Sequence, residues 1–241
     1  MLKEDIISYG KPKSVSAEAY RALRTNLEFS MSGEGAKTIL ITSSHVSEGK
    51  SSVASNLAAV FAMQNKKTVL VDCDMRRGIQ YKKFDIQNNN GLSNYLANIN
   101  VKEKEFIKIT EIPNLYIITS GPVPPNPAEL LSSSRMKEML DGLKEEYDVV
   151  VLDGAPVLPV TDSVILSSIV DRTVIVVSSG ETHNEELKSV KTALDNAGAN
   201  IAGVVLNKAE IRGKGYSKYG KYGKGYYGSY YGEEKNNKKK S

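Results

Sequence analysis

Apolar residues in this chain run consecutively through several short stretches, and between those stretches they recur every three or four positions. The stretches KTILITSS (37–44), KTVLVDCD (67–74), LYIITSG (115–121), EYDVVVLDGAP (146–156), DRTVIVVSSG (171–180) and ANIAGVVLNK (199–208) predict six strands. Several are apolar on successive rather than alternate residues, the mark of strands covered on both faces. In SSVASNLAAVFAMQ (51–64), Val53, Leu57, Val60 and Phe61 fall at helical spacing, and helical patterns also fill 128–145, 161–169 and 183–197. Strand alternating with helix predicts an α/β fold, a doubly wound and mainly parallel sheet flanked by helices. Ahead of it, SVSAEAYRALRTNLEFSM (14–31) predicts a helix with Ser16 as its N-cap, set off from the first strand by the glycines of SGEGAK (32–37).

After Lys208 the periodicity stops. The closing GKGYSKYGKYGKGYYGSYYGEEKNNKKKS holds seven tyrosines, Tyr216, Tyr219, Tyr222, Tyr226, Tyr227, Tyr230 and Tyr231, with no valine, leucine or isoleucine among them. Such a segment cannot bury a core and is expected to be disordered over 211–241. It also concentrates the charge: the formal +4 of the chain divides into +7 from Arg212 onward and −3 before it. A basic face for nucleic acid on the folded body is therefore not expected. The 241 residues suit one good-sized domain. No run of 18 apolar residues and no signal-peptide stretch occurs, so a cytoplasmic chain is expected. One cysteine, Cys73, excludes an internal disulfide, and His45 and His183 are isolated, so no His/Cys metal centre is expected.

The chemistry begins where the first strand runs into SSHVSEGKSS (43–52), which opens a helix. Strand, glycine-containing loop, Lys-Ser and helix form the setting of a P-loop. In that setting the backbone N–H groups from Ser47 through Ser52 cradle phosphate, Lys50 reaches the β/γ-phosphates and Ser51 offers its hydroxyl to Mg²⁺. The pattern keeps Gly49, Lys50 and Ser51 and departs from its first glycine at Ser44; Ser47 also stands where a freer loop would carry glycine, and Glu48 is counted with the nucleotide-binding loop residues. The second strand ends in Asp72-Cys73-Asp74, followed by Arg76 and Arg77, and the fourth ends at Asp153 before Gly-Ala-Pro. Carboxylates at the C-terminal ends of parallel strands face the ligand crevice, where the P-loop also lies. Three strand ends thus aim Lys/Ser, Asp/Asp and Asp at one point, which predicts nucleotide and Mg²⁺ binding. Asn207, at the end of the sixth strand, is a candidate contact to the base.

With these residues in view the sequence resembles the bacterial tyrosine kinases that control capsule and exopolysaccharide synthesis. The resemblance spans nearly the whole chain: a deviant Walker A in SHVSEGKS, a Walker A′ in VLVDCDMR (69–76), a Walker B in VVVLDGAP, the spacing Glu18-x-x-Arg21-x-x-Arg24, and the terminal tyrosine cluster. It implies a P-loop kinase domain over 37–210 that uses ATP and Mg²⁺ to phosphorylate tyrosine, its own tail included. Lys50 would stabilise the transferring phosphoryl group and Ser51 and Asp153 would serve the metal. Asp72 and Asp74 would divide metal positioning and acceptance of the phenol proton, Asp72 being the favoured base. It further implies an N-terminal oligomerisation segment (1–36) in which Glu18, Arg21 and Arg24 make ring contacts between copies. The implied partners are a membrane adaptor that recruits the chain to the inner face of the plasma membrane, protein substrates of polysaccharide synthesis and a phosphotyrosine phosphatase. By spacing alone the Glu/Arg triplet is also compatible with surface pairing along one helix. Two other functions compete: a positioning or partition ATPase on the same deviant loop, and a nucleotide-gated interaction module whose basic aromatic tail stacks on RNA.

Overall fold

In the computed structural model, residues 6–31, 38–98 and 103–209 are described. A short helix α1 (Ile7–Gly10) and a long one, α2 (Val15–Met31), precede strand β1 (Thr38–Ser43) and helix α3 (Lys50–Ala62). Then come β2 (Thr68–Asp72), α4 (Gln80–Lys83), α5 (Leu92–Ala97), a 3₁₀ turn (Glu103–Glu105), β3 (Lys108–Ile109) and β4 (Leu115–Ile118). The chain continues through α6 (Pro127–Leu131), α7 (Ser134–Glu146), β5 (Val149–Asp153), α8 (Asp162–Ser167), β6 (Arg172–Ser178), α9 (Asn184–Asn196) and β7 (Ile201–Asn207). The seven strands form one sheet in the order β3-β4-β2-β5-β1-β6-β7, parallel throughout except for the β3–β4 pair.

All residues of β1, β2, β5 and β6 are buried, as their unbroken apolar runs require. Side chains alternate between two cores. Ile39, Ile41, Leu70, Val151 and Val174 point to the face covered by α3, whereas Leu40, Val69, Val71, Val150 and Leu152 point to the face covered by α7, with Met136, Met139, Leu140 and Leu143. Helix α3 is buried at every position but Ser52, since the sheet lies on one side and α1 and α2 on the other. This explains why its sequence is apolar nearly all round, beyond the single stripe that a surface helix needs.

The helices before β1 therefore belong to the same compact unit as the sheet. Ile6 and Leu27 join the core around α3, the Ser8 backbone N–H and hydroxyl both donate to Asn56 Oδ1, and Arg24 donates to the Val60 carbonyl. The expected N-cap at Ser16 is corrected to Ser14, whose hydroxyl accepts from the Ala17 N–H at 3.1 Å. The expected helix 128–145 is broken into α6 and α7 at Ser132–Ser133. The seventh strand, β3, and helices α1, α4 and α5 escape the pattern because elements of two to six residues complete less than two helical turns or pleats. The tail expected to be disordered, 211–241, lies outside the described residues.

Because α3 has no solvent face to relax into, truncating its largest side chain is costly. Phe61→Ala is expected to lower unfolding free energy by about 3–5 kcal/mol, read as a fall in the urea midpoint at unchanged slope.

Candidate functional site

Parallel pairing fixes the site before any side chain is placed. In the register of β2 and β5, Asp72 lies directly opposite Asp153, and in that of β1 and β5, Asp153 lies opposite Ile41, two residues before β1 ends. The loop from Ser44 to Gly49 leaves β1 at this same edge and enters α3 at Lys50. Gly49 caps α3 at φ +97°, and a Cβ there would come within 2.0 Å of Asn207 Nδ2, so glycine is required twice over. Ser47 adopts φ +66°, a left-handed conformation costing a non-glycine residue roughly 1–2 kcal/mol. The deviation from a glycine-rich loop is thus accommodated as backbone strain.

What holds that strained loop is Glu48. Its carboxylate turns back into the protein, accepting from the His45 N–H at 2.8 Å and from the Thr182 hydroxyl. The Thr182 oxygen in turn accepts from the Ser178 N–H, and His45 Nε2 contacts Glu186 Oε1 at 3.0 Å. Asn207 Nδ2 donates to the Glu48 carbonyl at 2.9 Å. Of the expected phosphate-loop residues, Glu48 therefore contributes its main chain, and the Ser52 hydroxyl accepts from Lys83. Asn207 braces the loop.

Inside the loop Lys50 is buried among three carboxylates. Its Nζ donates to Asp74 Oδ2 at 2.8 Å and to Ser51 Oγ at 3.2 Å, and lies 3.7 Å from Asp153 Oδ1, an ion-pair contact too long for a hydrogen bond. The four residues predicted from three separate strand ends are thus brought together. Gln80, which no motif signalled, ties them: its backbone N–H donates to Asp72 Oδ2, and its Nε2 donates to both Asp153 Oδ2 and the Ser51 carbonyl. Gly78 makes this possible, since a Cβ there would lie 2.8 Å from Asp72 Oδ2.

The electrostatics of this cluster are unbalanced. Burial pushes the Asp72 carboxyl well above the usual range, and Asp153 next to it pushes further, against the opposing pull of the Gln80 N–H and Lys50. Asp153 is also raised, by burial, with Lys50, Gln80 and Ser51 pulling it down. Burial lowers Lys50, but Asp153 and Asp74 outweigh it and the net shift is upward. One oxygen of each of Asp72 and Asp153 is buried with no hydrogen-bond partner. Buried acceptors of that kind are rare unless something absent from the protein itself satisfies them. Ser51, Asp72, Asp74 and Asp153 therefore suit a divalent cation. Among the described residues no group of three or more His, Cys, Asp or Glu makes a self-sufficient metal cage. Cys73 is fully buried, and burial together with the three aspartates holds its thiol neutral.

The two arginines after Asp74 part company. Arg76 makes a two-pronged contact with the fully buried Asp162 on α8, at 2.8 and 3.1 Å. Arg77 instead lines an open cleft of about 330 Å³ together with Val46, Ser47, Gly49, Lys50, Ser51, Ser52, Asp74 and Ile79. Asp162, like Gln80, was not visible beforehand; an acid in the first turn of a short helix carries no distinctive spacing. On α2, Glu18 and Arg21 pair with one another on the surface, while Arg24 is nearly buried against α3. The seven tail tyrosines lie outside the described residues. No described helix is long and apolar enough to cross a membrane.

The AAA domain family model matches residues 36–201. The tyrosine-protein kinase YwqD of Bacillus subtilis is 40% identical over 228 residues, which cover 95% of this chain and 93% of YwqD. Among solved structures, the chimerical protein CapA2B2 aligns with a TM-score of 0.81 at 38% identity, covering 86% of this chain and 90% of that one. The kinase domain of the Escherichia coli tyrosine kinase ETK aligns with a TM-score of 0.83 at 34% identity, covering 87% and 82%.

The charge imbalance gives a pH-dependent prediction. A carboxyl whose folded pKa is raised contributes its stability below its unfolded pKa and loses it as pH rises through the folded value. Asp72 therefore weighs against the nucleotide-free fold at neutral pH. Asp72→Asn is expected to raise the melting temperature near pH 7.5 by about 2–4 °C, on the order of 1 kcal/mol. The gain should shrink as pH falls toward 4, measured by thermal scans across that range.

Proposed function

The chain belongs to the bacterial tyrosine-protein kinase family, and we propose that it transfers the γ-phosphoryl group of ATP to tyrosine hydroxyls, its own C-terminal cluster among them, and thereby regulates capsular or extracellular polysaccharide synthesis. The observation that carries this reading is the meeting of Lys50 with Asp72, Asp74 and Asp153 at the mouth of a phosphate loop. Phosphoryl transfer asks the protein mainly for positioning and for charge where charge develops. Loop amides from Ser47 to Ser52 hold the phosphates, and Lys50, held by Asp74 in this structure, serves the β/γ-phosphates. Ser51 and the aspartates would hold Mg²⁺, which when bound neutralises phosphate charge and aligns the γ-phosphoryl group. Asp74 lines the cleft and Asp72 lies beneath it. Burial and Asp153 raise the proton affinity of Asp72, and we assign it the phenol proton.

The tail is the proposed acceptor on the strength of its sequence. β7 ends at the loop it braces through Asn207, so the chain sets out from the nucleotide edge. A glycine-rich coil with as many residues as separate Lys208 from Tyr231 would span roughly 26 Å on average and about 75 Å when stretched, enough for a neighbouring copy's site. Glycine spacing lets one strand enter at several registers, in keeping with a non-specific protein-tyrosine kinase. Complete phosphorylation would add roughly −10 to −14 of charge, reversing the tail's +7. That reversal would loosen a ring of copies assembled through Glu18 and Arg21, with Arg24 supporting α2 from within. A membrane adaptor, substrates of polysaccharide synthesis and a phosphotyrosine phosphatase complete the proposed circuit. The domain division that goes with it is an oligomerisation segment, a kinase domain and an acceptor tail.

Incubation of the purified chain with labelled ATP and Mg²⁺ is expected to yield phosphotyrosine. Lys50→Met should reduce it at least about 100-fold, and replacement of all seven tail tyrosines by phenylalanine should remove most of it. Undiminished labelling of the Lys50→Met chain would overturn the reading. Undiminished labelling of the sevenfold variant would move the acceptors to the body, where Tyr9, Tyr20, Tyr81 and Tyr116 are partly exposed and Tyr95 and Tyr147 are buried.

A further inference from the structure

The cleft is lined by two cations, and they are in different situations. Lys50 is committed to Asp74 at 2.8 Å and sits within 3.7 Å of Asp153. Arg77 has an exposed side chain with no hydrogen bond or ion pair to any described residue, yet its position is fixed, because its backbone N–H donates to Asp74 Oδ1 at 2.9 Å. Its neighbour Arg76 shows what a structural arginine looks like in this segment: both prongs of its guanidinium are taken by a fully buried carboxylate. A residue whose backbone is held by Asp74 and whose guanidinium is left unpaired at the mouth of a phosphate site is poised for a ligand oxygen that the protein does not supply.

The side of the cleft on which it stands narrows the choice of ligand. Ser47, Gly49, Lys50, Ser51 and Ser52 line the wall formed by the phosphate loop and the start of α3, while Asp74, Arg77 and Ile79 line the wall that follows β2. Nucleotide phosphates belong to the loop wall, with its backbone N–H groups. The β2 wall carries a carboxylate and this arginine, and is left for the acceptor. We infer that Arg77 is a catalytic residue of the acceptor side, whose guanidinium meets the phosphoryl group as it passes to the incoming phenol. The inference rests on the kinase reading above. In the step, the bond between the β,γ-bridging oxygen and the γ-phosphorus breaks, the phenol oxygen forms its bond to that phosphorus, the phenol proton passes to an aspartate, and ADP departs. Negative charge spreads over the γ-phosphoryl oxygens in flight and stays on the phosphotyrosine. Arg77 is the cation placed to take up that charge on the side away from ADP.

This assignment separates binding from transfer. In the full-length protein, Arg77→Gln is expected to leave the dissociation constant of a fluorescent ADP within about threefold. Single-turnover phosphorylation of the tail should fall about 10²- to 10³-fold, in the range of a supplied arginine in other phosphoryl-transfer sites. Arg77→Lys should recover part of the rate, since a point charge replaces a fork. Melting temperature is followed in parallel; a loss of rate accompanied by an equal loss of nucleotide affinity or of fold would overturn the inference, as would an unchanged rate. Failure of the wild-type chain to label tyrosine at all would instead refute the kinase reading, so the two outcomes are distinct.

Discussion

One buried ammonium shared by three carboxylates is the constraint around which this protein is arranged. Lys50 stabilises Asp74 directly and Asp153 at longer range, but a single positive charge cannot compensate three negative ones in a site removed from water. The remainder is met by dipoles. Gln80 supplies a backbone and a side-chain donor to the two deepest carboxylates, and what it does not satisfy, one oxygen on each of Asp72 and Asp153, stays open. A site left short of positive charge is unfavourable for the empty fold and favourable for a cation arriving with phosphates. Stability and activity are opposed here for an electrostatic reason.

The rest of the architecture can be understood as what keeps that cluster in place. Parallel pairing puts Asp72 beside Asp153 without any side-chain contact being needed. Helix α3, buried everywhere but at Ser52, fixes Lys50 and Ser51 at its first turn. The strained loop ahead of them is held by Glu48, which reaches to Thr182, and by Asn207 from the last strand. Through these bonds the loop is coupled to the start of α9 and to the point where the chain leaves the sheet. Arg76 and Asp162 tie the segment after β2 to α8 across the same edge. Nearly every strand end at this edge is thus bonded to a neighbour, which is how a site assembled from distant parts of the chain is kept rigid enough for phosphoryl transfer.

Much of this was legible in the sequence, and the limits are physical. The unbroken apolar runs of β1, β2, β5 and β6 announced strands covered on both faces, and β2 and β5 ended in the aspartates that now surround Lys50. Lys50, Asp72, Asp74 and Asp153 could be named because their spacing from strand and helix boundaries is itself the signal. The α/β class and the phosphate loop followed from local pattern and its order along the chain, and the kinase reading from the family resemblance that those motifs carry. Asn207 was expected at the base and is found bracing the loop, because a strand-end residue shows its position in the sequence but not its partner.

Sequence by itself determined which segments are strands and helices, which residues could carry phosphate chemistry, and that the tyrosine-rich end holds no valine, leucine or isoleucine. These are properties of neighbours in the chain, set by periodicity, backbone preference and local charge. Only the tertiary structure decided that Gln80 would bind three motifs at once, that the Glu48 carboxylate would turn back to His45 and Thr182, and that Arg76 would be held by a buried carboxylate while Arg77 stayed open. Those outcomes depend on which surfaces meet when the sheet closes, and two adjacent arginines look alike until a buried carboxylate from residue 162 selects one of them.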